Sequence, residues 1–307
     1  MALVGRPNVG KSTLLNTLIG EKLSIVTPRA QTTRERVLGI YTVEDAQIVF
    51  VDTPGLLEPR YLLQESMLEQ ALLALRESDL ALLLLDPTDP EETFPAAPAL
   101  DALRRRRDLL VAINKIDLAA PETLDRLAAW ARELFGVEPF RVSAASGQGT
   151  GELRDALVAR LPASPLLYPP DEIAVQPVRF FVAELVRETI FEDYHAEVPY
   201  ATVVRVEEFH EAEDPILIRA NIFVERESQK AILIGERGAG IKRLGQRARE
   251  KIEAFVGARV YLELWVKSMP RWRKQPGALR LLGYAVPREQ RGSGGGRSSR
   301  GGERARS

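Results

Sequence analysis

Gly5-Arg6-Pro7-Asn8-Val9-Gly10-Lys11-Ser12 (GRPNVGKS) is the stretch that decides how this chain folds. It fits GxxxxGK[ST], a pattern in which backbone N–H groups surround a row of phosphates while a lysine ammonium lies against them. Lys11 is expected to take the β- and γ-phosphates and Ser12 a magnesium ion. Leu3 and Val4 before the loop read as a strand end, and Thr13 to Ile19 (TLLNTLI) after it as a helix. That order aims a helix N-terminus at the anion, where its partial positive charge is favourable. The candidate contacts here are Gly5, Arg6, Pro7, Asn8, Val9, Gly10, Lys11, Ser12 and Thr13.

Three further words follow apolar runs. Gln47 to Val51 (QIVFV) suits a buried strand and ends in Asp52, Thr53, Pro54, Gly55 and Leu56. Asp52 is placed to hold Mg²⁺ through water. Gly55, without a side chain, lets its N–H approach a γ-phosphate and release it after hydrolysis. Leu109 to Ile113 ends in Asn114, Lys115 and Asp117 (NKID). The Asp117 carboxylate can accept from guanine N1–H and the exocyclic amine, an arrangement adenine lacks, and such a site discriminates by about 10⁴-fold. Asn114 and the Lys115 stem frame the base. After Phe140 to Val142 come Ser143, Ala144 and Ala145, where a backbone N–H donates to the guanine oxygen. The set points to GTP and GDP as ligands.

A length of 307 residues suits about two domains, and an apolar fraction of 45% can fill their cores. Apolar runs alternate with helical patterns at Tyr61 to Ser78 and Glu122 to Phe135, the rhythm of an α/β fold with a mostly parallel sheet and helices on both faces. Glu152 to Leu161 reads as its last helix. Pro162, Pro165, Pro169, Pro170 and Pro177 then mark a semi-rigid extended linker. Beyond it, Val178 to Phe191 is a helix, Ala201 to Glu207 and Ile216 to Glu225 are strands, Ile241 to Phe255 is a basic helix, and Val260 to Val266 is a strand. The expected division is a P-loop G domain over 1–161, a linker over 162–177, a smaller α+β domain over 178–287, and a disordered Gly/Arg/Ser tail over 288–307.

The net charge of −1 is unevenly spread. Ser228 to Arg280 carries 13 Lys or Arg against 4 Asp or Glu, the last 27 residues add a further +4, and residues 1–227 therefore carry −14. A basic end behind an acidic domain is a footprint of nucleic-acid binding. Within it, Gly235, Glu236, Arg237 and Gly238 form a GxxG loop, which in KH domains clamps about four single-stranded nucleotides. Lys242, Arg243, Arg247 and Arg249 on the next helix offer charge to phosphates. The chain has no cysteine, so disulfides and cysteine-ligated metals are excluded. Its richest apolar run, Leu80 to Leu85, is too short to span a bilayer, and His195 and His210 are read as solvated.

PNVGKST together with Gln31, Thr32, Thr33 and Arg34 (QTTR) resembles the GTPase group that includes Era, EngA and TrmE. A single G domain followed by a KH-like domain is similar to the Era family, over nearly Met1 to Pro287, with KSMPRWR (Lys267 to Arg273) resembling the Era KH terminus. The resemblance implies a GTPase with two switch loops that assists assembly of the 30S subunit by binding the 3′ end of 16S ribosomal RNA. It also implies a cytoplasmic monomer with peripheral membrane association at the inner face, and no DNA partner. Thr33 is the expected Mg²⁺ ligand in the first switch, with Thr32 the alternative.

Leu56 and Leu57 stand where Ras-like enzymes carry a water-orienting glutamine, so positioning must come from elsewhere. Asn8 matches an asparagine that holds K⁺ in related GTPases, which makes Lys11, Thr33, Gly55 and Asn8 the catalytic set, with slow intrinsic turnover. Glu236 departs from the family by placing an acid in the clamp. The chain starts close to Gly5, leaving a first strand under the usual ~5 or 6 residues, as a misassigned start or a shortened chain would. The tail reads equally as an RNA tether or a solubilising end. Two other readings are a passive nucleotide-gated RNA binder and a membrane or cell-cycle signalling GTPase.

Overall fold

The apolar runs of the first half are apolar on both faces, so they must be covered on both, as in parallel α/β sheets. The computed structural model describes residues 1–27, 29–95 and 97–287. In chain order the first half contains β1 (Ala2–Val4), α1 (Lys11–Ile19), β2 (Val37–Val43), β3 (Ala46–Asp52), α2 (Leu62–Glu77), β4 (Ala81–Leu85), α3 (Ala99–Arg104), β5 (Leu109–Ile113), α4 (Pro121–Phe135), β6 (Phe140–Arg141) and α5 (Thr150–Val158). The strands form one sheet in the order β2-β3-β1-β4-β5-β6, with only β2 antiparallel to its neighbour. One core packs α1 and α5 on one face through Leu14, Leu15, Leu153 and Leu157. The other packs α2, α3 and α4 through Ala71, Leu75, Leu103 and Leu127. The three-residue β1 lies between β3 and β4, at the point where strand order reverses, so its loop opens into the crevice where such sheets bind ligands.

The proline-rich stretch is not a free spacer. Strand β2 is the sheet edge, and its backbone groups need partners; the extended segment supplies them. Ile40 N–H donates to the Ile173 carbonyl at 2.9 Å, Gly39 bridges Ala174, and the Gln47 side chain accepts from Leu167 and Tyr168 N–H groups. Residues 167 to 176 thus run as a strap along the first sheet.

The second half contains α6 (Val178–Asp193), α7 (Val198–Ala201), β7 (Val203–His210), β8 (Ile216–Val224), α8 (Glu227–Ile234), α9 (Ala239–Val256), β9 (Val260–Ser268) and α10 (Pro276–Leu281). The strands form a sheet in the order β7-β8-β9, with β8 and β9 parallel. The strand expected from Ala201 starts at Val203, because Pro199 opens the helical turn α7. Leu244, Ala248 and Ile252, four residues apart on α9, are buried against Val182, Val186 and Ile190 of α6 and the inner face of β8. The chain then folds back, and Trp272, Leu279, Leu282 and Tyr284 pack on Leu63 and Met67 of α2. No helix among the described residues is long and apolar enough to cross a membrane.

A buried carboxylate also ties the halves. Glu188 on α6 is 1% exposed and accepts from Lys22 at 2.8 Å and Lys251 at 2.9 Å. Burial alone would raise its pKa, but the two ammonium groups outweigh burial and hold it below the usual carboxylate range. A depressed folded pKa gives stability that is present above the unfolded value and lost as pH falls through the folded one. Glu188→Gln is therefore expected to lower unfolding free energy by about 1–3 kcal/mol at pH 7, with the gap to wild type closing in acid. Urea titrations at several pH values check this; a gap independent of pH would remove the ionic role.

Candidate nucleotide site and nucleic-acid interface

The carboxyl ends of β1, β3, β4 and β5 share one rim of the sheet, and the loops leaving them carry the motif residues. Gly10 caps α1 at φ 94°, and a Cβ there would lie 2.2 Å from Asn114 Nδ2. Asn114, 1% exposed, donates to the Val9 carbonyl at 2.8 Å and accepts from Ala144 N–H at 2.8 Å. The sequence pattern puts this side chain beside a base; the structure makes it a staple between the phosphate loop and the Ser143–Ala145 loop. Ser143 N–H is likewise engaged, by the Gln148 carbonyl, and Ala145 is the residue of that loop lining the cavity.

That cavity, about 560 Å³, is lined by Gly10 to Thr13 with Pro7 and Asn8, by Gln31 to Thr33, and by Gly55, Lys115, Leu118 and Ala145. Lys11 Nζ donates to the Gly5 and Arg6 carbonyls at 3.2 and 3.0 Å. Burial lowers its pKa to about 8, with Asp52 pulling the other way; an anion arriving beside such an ammonium restores the charge stabilisation that water gave. Asp117 stands exposed on the 3₁₀ turn Ile116–Leu118. Gly55 has no room for a side chain, since a Cβ would meet Pro7 at 2.6 Å. Asn8 is exposed in the left-handed region, at φ 66°.

The Mg²⁺ donors expected from sequence are together. Ser12 Oγ donates to Asp52 Oδ2 at 2.7 Å and lies 3.0 Å from Thr33 Oγ1, itself 3.4 Å from Asp52 Oδ2. Asp52 Oδ1 is buried without a hydrogen-bond partner among the described residues. Burial raises the Asp52 pKa against the opposing pull of Lys11 and the hydroxyls of Ser12, Ser24 and Thr33. Oxygen donors around an orphaned carboxylate oxygen fit a hard cation such as Mg²⁺. Thr33 is the switch threonine in this cluster; the Thr32 carbonyl instead accepts from Arg187 of α6.

Eleven predicted contacts do not line the cavity: Gly5, Arg6, Val9, Asp52, Thr53, Pro54, Leu56, Asn114, Asp117, Ser143 and Ala144. Thr53 is fully buried and donates to the Leu3 carbonyl at 2.7 Å, fastening β3 to β1. Pro54 is buried beside it, and Leu56 belongs to the apolar core below. Arg6 pairs with Glu92 at 2.8 Å in an adjoining cavity of about 790 Å³. Glu58, Asp86, Asp89 and Glu92 line that larger space with Arg6, Arg60 and Lys115, a less favourable setting for phosphate than the smaller cavity, which has no carboxylate in its lining. Asp86, missed from sequence, accepts from Lys115 Nζ at 2.5 Å. The signal was there: it ends the run Leu80 to Leu85 as Asp52 and Asn114 end theirs.

The first switch is seated in the second domain. Arg34, 5% exposed, donates to the carbonyls of Thr202 at 2.6 Å, Pro199 at 3.1 Å and Tyr200 at 3.0 Å, and its guanidinium lies over the Trp272 ring. Glu35 pairs with Arg205 at 3.0 Å. These contacts involve residues adjacent to Thr33.

On the second domain, α8 ends at Gly235 (φ 70°), followed by the 3₁₀ turn Glu236–Gly238, with Arg237 at φ 49° and Gly238 at φ 82°. Gly240, not singled out from sequence, is equally constrained: a Cβ there would meet the Leu233 carbonyl at 2.7 Å. Glu236, Arg237, Lys242 and Arg243 are exposed. Arg247, expected to offer its charge to phosphates, is paired with Glu192 at 2.9 Å and with Asp193. Any phosphate it takes must compete with two carboxylates. No group of three or more His, Cys, Asp or Glu side chains that could hold a metal ion occurs among the described residues.

Residues 1–115 match the family model described as a 50S ribosome-binding GTPase, and residues 197–273 match the KH domain model. The chain is 41% identical over 294 residues to GTPase Era of Leuconostoc citreum, covering 92% of this chain and 95% of that protein. It is 41% identical over 278 residues to GTPase Era of Thermotoga maritima, covering 90% and 93%. A solved Aquifex aeolicus Era variant bound to GDP and AlF₄⁻ superposes with a TM-score of 0.85 at 38% identity, covering 93% of this chain and 98% of that one. An Era structure with MgGDPNP and nucleotides 1506–1542 of 16S ribosomal RNA gives 0.86 at 39% identity and the same coverage. With relatives of this one family matched at 41% identity over 90% or more of its length, the chain belongs to the Era family of GTPases.

Proposed function

We propose that the protein is a GTP-hydrolysing switch that binds 16S ribosomal RNA near its 3′ end and assists 30S assembly in the cytoplasm as a monomer. The observation that carries this reading is the first switch itself: Thr33 meets Ser12 and Asp52, while its neighbours Thr32, Arg34 and Glu35 are held by Arg187, the 199–202 carbonyls and Arg205. A nucleotide that moves Thr33 must move the seat of the RNA-binding domain. The solved relative holding both MgGDPNP and 16S RNA supports the same pairing of ligands. The functional units are taken as 1–161 for GTP and 178–287 for RNA, joined by 162–177.

In this mechanism Lys11 lies against the β- and γ-phosphates, and the Gly55 N–H meets the γ-phosphate. Ser12, Thr33 and Asp52 would hold Mg²⁺, which would supply positive charge to the phosphate oxygens. Leu56 is core and cannot orient water, so charge at the phosphate loop matters more, and Asn8 holds K⁺ there. The RNA contacts are Gly235 to Gly238 with Lys242, Arg243 and, after release from its ion pairs, Arg247.

Fluorescence anisotropy of a labelled 1506–1542 RNA against a scrambled control, with a GTP analogue or GDP, tests the reading. Tighter, sequence-dependent binding in the GTP-like state is expected, together with faster turnover in KCl than in NaCl that Asn8→Ala equalises. Identical affinities in both nucleotide states would leave only a passive binder, and equal turnover in both salts would remove K⁺.

A further inference from the structure

A second basic site lies at the far end of α8 from the GxxG loop. A cavity of about 600 Å³ is lined by Glu225, Arg226, Pro270, Arg271, Arg273 and Lys274. Four cations face one carboxylate. Glu225 is taken by Arg273; Arg226, Arg271 and Lys274 have no ion-pair partner among the described residues and are exposed. Arg273 Nε is buried with no hydrogen-bond partner, and Arg271 is held in the left-handed region at φ 55°, an uncommon conformation for a residue with a side chain. Uncompensated like charges on one concave surface focus a field that an anion relieves.

We propose that this cavity is a second RNA-backbone site that takes phosphodiester groups of the strand held at the GxxG loop. The inference rests on the RNA-binding reading above. Arg226 immediately precedes α8 and Gly235 immediately follows it, and eight helical residues span about 12 Å, so a strand clamped at the loop needs few nucleotides to arrive. Among the lining residues only Pro270 is apolar, whereas a surface that enters a bilayer needs large apolar side chains beside its cations. RNA is therefore the favoured polyanion.

The site also touches the second switch. The Arg273 guanidinium lies 5.2 Å from the centre of the Tyr61 ring, and Tyr61 caps α2 at the end of the loop that follows the Asp52–Gly55 segment. A phosphate that draws Arg273 from Glu225 alters that stacking, so RNA bound here is felt at the start of α2. The GxxG loop has no contact of this kind with α2 among the described residues.

The test compares wild type, Arg271→Ala/Lys274→Ala and the clamp variant Arg237→Ala/Lys242→Ala, using labelled 1506–1542 RNA at several KCl concentrations. Neither altered pair belongs to the nucleotide site, and unchanged GTP affinity verifies folding. The cavity variant is expected to bind RNA about tenfold more weakly near 0.1 M salt, with the log–log salt slope shallower by about 1.4, two single-strand phosphate contacts at about 0.7 each. Wild-type affinity and slope in the cavity variant, with a defect in the clamp variant, would overturn the second site and leave the RNA reading standing. Failure of the wild-type protein itself to bind RNA would remove both. Loss of binding to phosphatidylglycerol vesicles with RNA binding intact would assign the cavity to lipid phosphates and overturn the proposal.

Discussion

Asp117→Asn is expected to lower the affinity for GTP by about 10⁴-fold while raising that for xanthosine triphosphate. In the proposed role, the carboxylate accepts from two guanine N–H groups. An asparagine amide turns one of its ends into a donor, which faces a guanine donor but suits the carbonyl that xanthine carries instead. A site built to satisfy such bonds rejects a mismatched partner by this order. Asp117 is exposed on a short 3₁₀ turn, so folding stability should change by less than about 0.5 kcal/mol. Competition against a fluorescent nucleotide gives both affinities. Unchanged base preference would remove Asp117 from base recognition and transfer the task to the Ala145 loop.

Trp272→Ala carries the largest expected stability effect. The indole is fully buried, its Nε1 donates to the Ala201 carbonyl at 2.8 Å, and its ring stacks on Tyr284 at 5.9 Å while Arg34 covers it. Its apolar neighbours include Leu63 and Met67 of α2. Truncation loses transfer energy and leaves a cavity, at a cost of about 3–5 kcal/mol. Because both switches meet this ring or its neighbours, the nucleotide dependence of RNA affinity should also vanish. Trp272→Phe keeps the ring packing and loses mainly the hydrogen bond, about 0.5–1.5 kcal/mol. Urea unfolding and RNA titration read the two effects; an alanine variant as stable as wild type would mean that the carboxyl-terminal segment does not anchor α2.

Legibility in the sequence followed the range of the interactions. Helix α4 was expected from Glu122 to Phe135 and spans Pro121–Phe135, because its amphipathic period is local. Strand β5 was readable to the residue, because an apolar run bounded by Asn114 has no alternative register. The linker was read as a semi-rigid extended segment, and its pairing with β2 went unforeseen, since nothing within it reveals that β2 offers an open edge. The ion pairs of Arg247 went unforeseen because Glu192 and Asp193 lie more than fifty positions away. Gly240 went unmarked because its constraint is the approach of α8 to α9, seen only when both are folded.

What the sequence by itself determined was residue type at short spacing: the lysine and hydroxyl proposed for phosphate and Mg²⁺, the carboxylate proposed for guanine, and the glycines and cations proposed for RNA. The tertiary structure decided which groups do each task. It set Thr33 against Ser12 and Asp52, used Asn114 as a staple, buried Arg34 among the carbonyls of the second domain and gathered Arg226 with Arg271 and Lys274. Many of these pairings join residues more than a hundred positions apart. They exist only where the sheet and the packed helices bring them within hydrogen-bond or ion-pair reach, and no local pattern encodes that distance.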